Sequence, residues 1–142
     1  MKLLVSACLM GVGCRYDGKS NELPQLAELL ARHHCIPACA EVFGGLPTPR
    51  IPAEIRDDRV VNKEGRDVTG EFTRGAEEVA RLATITGCTA ALLKERSPSC
   101  GCGKVYDGTF TKTLVAGDGL TAKALKELGL TVYGESEIEK LL

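Results

Sequence analysis

Short apolar runs alternate with helical stripes of leucine and alanine along this chain. The apolar runs, which predict buried strands, are Lys2 to Ala7, Ile36 to Ala38, Thr89 to Lys94 and Leu130 to Tyr133. Helical spacing of apolar residues predicts helices from Pro24 to His33, from Thr69 to Gly87, from Asp118 to Gly129 and from Ser136 onward. Right-handed crossovers in such a βαβαβαβα order predict a Rossmann-like three-layer α/β sandwich with a parallel sheet of about four strands.

Two irregular stretches separate these elements, and both follow a predicted strand. Residues 40–69 contain Gly-Gly and a proline-rich run, and residues 95–117 contain several glycines. They predict long loops at the carboxyl ends of the strands, where functional residues are common. Within the first, residues 59–68 predict a small hairpin that turns at Lys63-Glu64-Gly65. Thr69 and Asp118 are predicted N-caps, and residues 136–139 are a predicted capping box for the last helix.

Length and charge restrict the kind of protein this is. The 142 residues fit one domain, residues 1–142, and the 18 basic and 19 acidic residues are intermixed, with net charge −1. Stable binding of nucleic acid by this chain alone is not expected, because no basic stripe is present, and a small molecule is the favoured partner. No run approaches the ~18 apolar residues of a membrane span. The opening run is too short for a signal core, which predicts a cytoplasmic protein.

Seven cysteines are an unusual number for a chain with an adequate core. Because reducing compartments keep thiols free, metal binding or catalysis is favoured over disulfides. Cys8, Cys39 and Cys100 each fall just past a predicted strand, so a parallel sheet would bring all three thiols to one edge. Cys14, in a glycine-containing loop, can reach the same place and is an alternative ligand. The other cysteines are read as two buried apolar residues, Cys35 and Cys88, and a bystander, Cys102.

The spacing of these cysteines bears on the metal. Structural zinc sites normally contain Cys-x2-Cys pairs, and none is present. Isolated cysteines from separate loops can hold an iron–sulfur cluster. Three thiolates on a four-iron cluster leave one iron open as a Lewis acid, whereas a fourth from Cys14 would close the site. Two other readings stay open: a non-catalytic iron–sulfur or zinc-binding module, and a sulfur carrier with a persulfide on Cys100.

Polar residues close to these cysteines are candidates for chemistry. Glu41 lies two residues beyond Cys39 and is a candidate acid/base, or else a solvated loop carboxylate. Ser97 is a candidate hydrogen-bond or proton-relay group, or else a turn residue before a proline. The predicted substrate-binding residues are Gly44, Gly45, Arg50 and Ser99. The glycines would expose backbone amides, and Arg50 would hold an anionic or carbonyl-rich ligand unless it pairs with a loop carboxylate.

Three blocks of this sequence resemble the bacterial thiouracil desulfidase family. The first is SACLMG at residues 6–11 with CRYDG at residues 14–18, and the second is CAEVFGGLPTPR at residues 39–50. The third is KERSPSCG at residues 94–101, continued by YDGTF at residues 106–110. The blocks occur in order over nearly the whole chain. Ala40 departs from the proline that the family usually has between the cysteine and the glutamate.

The resemblance implies a [4Fe-4S] cluster held by Cys8, Cys39 and Cys100, with Cys14 matching the same motif as Cys8. It implies that the open iron binds the sulfur of 2- or 4-thiouracil, and that water completes a non-redox, hydrolase-type conversion to uracil and sulfide. Glu41 matches the acid/base and Ser97 a catalytic hydroxyl. Because relatives that act on thiolated tRNA carry an extra domain, a free base or nucleoside is the expected substrate.

Overall fold

The computed structural model describes residues 1–142 and contains a four-stranded parallel sheet between layers of helix. The strands of this sheet are β1 (Lys2–Ser6), β2 (His34–Ala38), β5 (Ala90–Leu93) and β8 (Thr131–Gly134). They lie in the order β2-β1-β5-β8, and every pairing is parallel. The helices are α1 (Leu26–Arg32), α2 (Ala40–Phe43), α3 (Thr69–Thr86) and α4 (Leu120–Glu127), with 3-10 helices at Ala7–Met10 and Glu135–Leu141. The predicted three-layer sandwich is confirmed.

Alternation along the central strands divides the apolar core between two faces of the sheet. Leu4 lies in the cluster that contains Val79 of α3, whereas Leu3 lies in the cluster that contains Leu29 of α1 and Ile138 of the last helix. All four residues of β5 are buried. Each fully buried leucine contributes about 1.5–3 kcal/mol relative to an exposed one. The continuous apolar runs are therefore what two covered faces require.

Helices α2 and α3 touch through their backbones. A Cβ on Gly75 of α3 would overlap the carbonyl oxygen of Ala40 in α2, and a Cβ on Gly44 would overlap the carbonyl oxygen of Glu71. Only glycine at these two positions allows the helices to approach this closely. Because α2 begins immediately after Cys39, the contact fixes the loop that leaves β2.

The long loops contain two hairpins that the apolar pattern did not predict. Strands β3 (Ala53–Arg56) and β4 (Arg59–Asn62) pair antiparallel, as do β6 (Lys104–Tyr106) and β7 (Leu114–Ala116). The predicted turn at Lys63-Glu64-Gly65 is confirmed: Val61 and Asp67 form an antiparallel bridge, and the N–H of Val68 donates to the carbonyl oxygen of Val60 at 2.8 Å. The reversal that was not predicted lies at Asp57-Asp58, between β3 and β4. Asp57 has φ +57°, which aspartate tolerates better than most residues.

Two predicted N-caps use their side chains differently. Thr69 is the first residue of α3, and its Oγ1 accepts the N–H of Val60 at 2.8 Å, so it joins the helix to the hairpin. Asp118 precedes the N-cap of α4 and accepts the N–H of Gly103 at 2.7 Å while pairing with Lys126 at 3.0 Å. In both cases a tertiary partner replaces the helix N–H that a cap would bind.

The predicted capping box at residues 136–139 is wrong, because the N-cap of the last helix is Gly134 and not Ser136. Ser136 donates its hydroxyl to Glu95 at 2.7 Å, and the last helix, a 3-10 helix, starts one residue earlier. Glu137 accepts the N–H of Gly134 at 3.1 Å and so performs half of the capping interaction.

None of the helices combines the length and apolar character that crossing a membrane requires.

Candidate active site

A cavity of about 750 Å³ opens at the carboxyl ends of the sheet strands. Strand β2 lies on one side of β1 and β5 on the other, so the strand order reverses at β1. In parallel sheets, such a reversal separates the loops above it and leaves a crevice where ligands bind. The segments that follow β1, β2 and β5 all contribute to the cavity wall.

Four thiols line this cavity. Cys8 lies in the 3-10 helix directly after β1, Cys39 is the N-cap of α2 directly after β2, and Cys100 follows β5. Cys14 lines the cavity as well, and the Cys39 thiol lies 3.9 Å from the Cys14 carbonyl oxygen. The chain has no disulfide. The structure thus brings the three cysteines predicted from strand ends together with the alternative one.

The remaining cysteines lie elsewhere. Cys35 and Cys102 are half-buried, Cys88 is buried, and none of the three lines the cavity. The Cys102 thiol points to the carbonyl oxygen of Val132 at 3.8 Å, and Cys88 belongs to the core cluster under α3. Position past a strand end therefore separates the cavity thiols from Cys35 and Cys88 but not from Cys102, which follows β5 as Cys100 does.

Burial raises the pKa of three of the four cavity thiols, and neighbouring negative charge adds to the effect. Burial raises the pKa of Cys14 to about 12, with the neighbouring Cys39 as the next cause. Burial likewise raises the pKa of Cys100, and the charge of Glu41 adds to that effect. The pKa of Cys8 is raised by burial, although a hydrogen bond with Asn21 opposes the shift. Thiols in this state ionise when a cationic centre binds among them.

The donor set indicates what kind of centre fits. No three His, Cys, Asp or Glu side chains are arranged to hold a single metal ion. In an iron–sulfur cluster the thiolates bind different irons, so they surround the cluster without converging on one point. Soft thiol donors in a shared cavity therefore fit an iron–sulfur cluster.

Glu41 and Arg50 form an ion pair inside the cavity. Glu41 is in the first turn of α2, and its Oε2 lies 3.5 Å from Nη2 of Arg50. Arg50 Nη2 also donates to the Cys14 carbonyl oxygen at 2.9 Å, and Nη1 donates to Thr48 Oγ1 at 3.1 Å. Both side chains are largely buried: Arg50 is 9% exposed and Glu41 is 16% exposed. Arg50 is thereby bound to the protein's own groups and joins the Cys14 loop to α2.

The two predicted serines have different surroundings. Ser97 lines the cavity, and its Oγ accepts the N–H groups of Ser99 and Cys100 at 3.0 Å each. That leaves the Ser97 hydroxyl hydrogen outside both bonds. Ser99 is fully buried, and its hydroxyl is 2.6 Å from Oγ1 of Thr121. Ser99, which was predicted to contact substrate, does not line the cavity, and its bond to Thr121 anchors the turn to α4.

The two glycines that were predicted to contact substrate also lie outside the cavity wall. Neither Gly44 nor Gly45 lines the cavity. Gly44 serves the close approach to α3, and Gly45 adopts φ +96°, a conformation that ends α2 without strain. Both glycines do adopt backbone positions that other residues would not tolerate, as the sequence indicated, but these positions serve helix packing and the end of α2.

One site residue was missed because it looked like part of a strand. Ser6 is the last residue of β1 and is 3% exposed, and its Oγ accepts the N–H of Lys94 at 2.9 Å. A hydrogen bond with Ser6 also opposes the rise in the pKa of Cys100. The signal for it was a hydroxyl at the end of an otherwise apolar run. Ser6 ties β1 to the segment that carries Cys100.

Three comparisons relate this chain to known proteins. The model of a family described as 2-thiouracil desulfurase matches residues 3–137. The chain is 38% identical over 150 residues to the uncharacterized protein YbbK of Bacillus subtilis (strain 168), covering 99% of each protein. Among solved structures, it is similar to the [4Fe-4S]-dependent thiouracil desulfidase TudS, with TM-score 0.93 and 46% identity over 99% of this chain and 94% of that one.

Proposed function

Because this chain belongs to the 2-thiouracil desulfurase family, we propose that it is an enzyme that removes sulfur from thiolated pyrimidines, converting 2- or 4-thiouracil to uracil. The resemblance seen in the three sequence blocks is confirmed by the family match and by the likeness to TudS. The observation that carries the proposal is the cavity into which four thiols and Glu41 project. Water replaces sulfur in the reaction, so thiouracil and water give uracil and hydrogen sulfide with no net redox change.

Three thiols of the cavity are proposed as ligands of a [4Fe-4S] cluster: Cys8, Cys39 and Cys100. They come from the three segments that follow adjacent strands, which is the arrangement expected for ligands around a compact cofactor. When bound, the cluster supplies an open iron that acts as a Lewis acid toward the substrate sulfur. Cys14, the fourth thiol of the cavity wall, has no ligand role in this proposal.

The proton chemistry is assigned to Glu41 and Ser97. The Glu41 carboxylate borders the cavity while Arg50 holds Oε2, so the carboxylate can accept the proton of the incoming water and return it to the departing sulfide. Ser97 fixes the turn before Cys100 through two backbone N–H groups and retains its own hydrogen to donate to a carbonyl oxygen of the pyrimidine.

Anaerobic reconstitution with iron and sulfide, followed by a thiouracil assay, tests the proposal. The variants Cys8→Ser, Cys39→Ser and Cys100→Ser are expected to lose stoichiometric iron, broad visible absorption and sulfide release. Cys35→Ser is the matched control, because Cys35 is a half-buried thiol outside the cavity. Sulfide release by iron-free protein would refute the cluster-dependent mechanism.

A non-catalytic iron–sulfur module is the second candidate, favoured by the fourth thiol in the cavity. Such a module needs all four cysteines as ligands. Cys14→Ser therefore separates the two functions. If the protein is an enzyme with an open iron, this variant retains iron and turnover. If it is a closed module, this variant loses the cluster, as the other three cysteine variants do.

A further inference from the structure

Aromatic residues are concentrated at the cavity. The chain has three tyrosines, three phenylalanines and no tryptophan. Tyr16, Phe72, Tyr106 and Phe110 all line the cavity wall. Phe72 is 3% exposed and packs in the small core cluster with Val60, so packing explains it. Phe110 is half-buried and belongs to none of the three apolar clusters.

The backbone at Phe110 is held in a conformation that phenylalanine rarely adopts. Its φ is +59°, in the left-handed region, where a bulky side chain costs free energy. Lys112, two residues on, has φ +60° and also lines the cavity. Strained residues of this kind persist where the surrounding structure fixes them, and they concentrate at ligand-binding sites.

A buried carboxylate fixes this loop. Glu54 of β3 is 8% exposed, and its Oε1 accepts the N–H of Gly108 at 3.0 Å and the N–H of Phe110 at 3.1 Å. Arg56 donates to the Gly108 carbonyl oxygen at 2.8 Å from Nη2 and at 3.2 Å from Nε. The β3–β4 hairpin thus clamps residues 108–110 against the cavity, and the ring of Phe110 is carried there with them.

We propose that the Phe110 ring is the surface on which the planar pyrimidine stacks, and that Glu54 is the positioning residue that holds the ring in place. The inference rests on the proposed desulfidase function, and it adds that the site selects substrates with flat, conjugated rings. A phenyl face and a pyrimidine face attract each other whatever the base, so stacking holds the ring while the thiocarbonyl projects toward the thiols.

The variant Phe110→Leu keeps an apolar side chain and removes the aromatic face. The expected result is a rise of about tenfold in KM for 2- or 4-thiouracil, about 1.4 kcal/mol, with a smaller change in kcat. The dissociation constant of uracil, measured by calorimetry, rises in parallel because stacking does not involve the sulfur. Phe110→Tyr keeps the ring and retains wild-type values, and Phe43→Leu, an exposed aromatic outside the cavity, changes neither quantity.

A second variant separates stacking from a structural role. Phe110→Gly relieves the left-handed strain, so the melting temperature stays within about 2 °C of wild type or rises while KM increases. A phenylalanine needed for the core would instead lose about 10 °C. Glu54→Gln keeps an acceptor oxygen for both N–H groups and is expected to bind uracil more tightly than Glu54→Ala.

A saturated analogue tests the selectivity. With 5,6-dihydro-2-thiouracil, which has a thiocarbonyl but no flat conjugated ring, wild type is expected to show a KM about tenfold above that for thiouracil, and Phe110→Leu is expected to lose the difference. Unchanged uracil binding in Phe110→Leu, with active wild type, overturns this inference alone. Absence of sulfide release by reconstituted wild type overturns the proposed function, and this inference with it.

Discussion

Substitution of Gly75 by alanine is expected to damage the site from outside it. Gly75 is on α3, and its Cα faces the backbone of Ala40, the residue directly before Glu41. A Cβ there would lie 2.7 Å from the Ala40 carbonyl carbon and 3.3 Å from its Cα, whereas ordinary contact begins at 3.4 Å. The Ala40 carbonyl oxygen would lie nearer still, so helix α2 must retreat by at least about 0.7 Å, and it carries Glu41 with it.

The magnitude follows from two opposing effects. Glycine to alanine in a helix interior contributes up to about 1 kcal/mol of stability. Overpacking against backbone costs about 1–3 kcal/mol, because neither carbonyl nor helix can rotate away. The expected net result is a loss of about 1 kcal/mol and of about 3 °C in melting temperature. Displacing a catalytic group by 1 Å can lower the rate about 100-fold, so a tenfold or greater loss of kcat is expected for a shift of about 0.7 Å or more.

Gly70→Ala is the matched control for this experiment. Gly70 is on the same helix, but a Cβ there would meet nothing within 4 Å. It is expected to retain wild-type activity and to gain a few tenths of a kcal/mol. Thermal unfolding, iron content and sulfide release are measured on both variants. If Gly75→Ala is as stable and as active as Gly70→Ala, the contact between α2 and α3 does not position Glu41.

Two further predictions concern charge. Because burial raises the pKa of Cys14 to about 12 in the folded state, its neutral thiol gives the iron-free protein stability that is complete below pH 9 and is lost as the pH rises toward 12. In Cys14→Ser the denaturant midpoint should therefore fall less steeply with rising pH. A slope equal to that of wild type would count against this effect of Cys14. Arg50→Gln should lower the free energy of unfolding by about 1–3 kcal/mol because it leaves the buried Glu41 unpaired, whereas Arg59→Gln, which breaks the exposed pair with Asp67, should leave the midpoint unchanged. Equal effects of the two arginine variants would refute the assigned difference.

Local pattern was sufficient for the sheet and for the three strand-end thiols. Apolar runs of three to six residues, separated by helical stripes, require two covered faces, and a parallel sheet then places Cys8, Cys39 and Cys100 at one edge. Hairpin β3–β4 could not be found in this way. The turn at Gly65 has a local signal and is present, whereas the additional reversal at Asp57-Asp58 depends on pairing along four residues of each strand.

The sequence by itself determined which segments are buried and which thiols follow a strand, because both depend on chemistry a few residues apart. Only the tertiary structure decided how backbone freedom and polar side chains are used. It turned Ser99 toward Thr121, joined Arg50 to Glu41 and carried Phe110 to the cavity on a loop clamped by Glu54. The partners in these contacts are from 9 to 56 residues apart in the chain, and no local pattern specifies which distant group will satisfy a buried donor or charge.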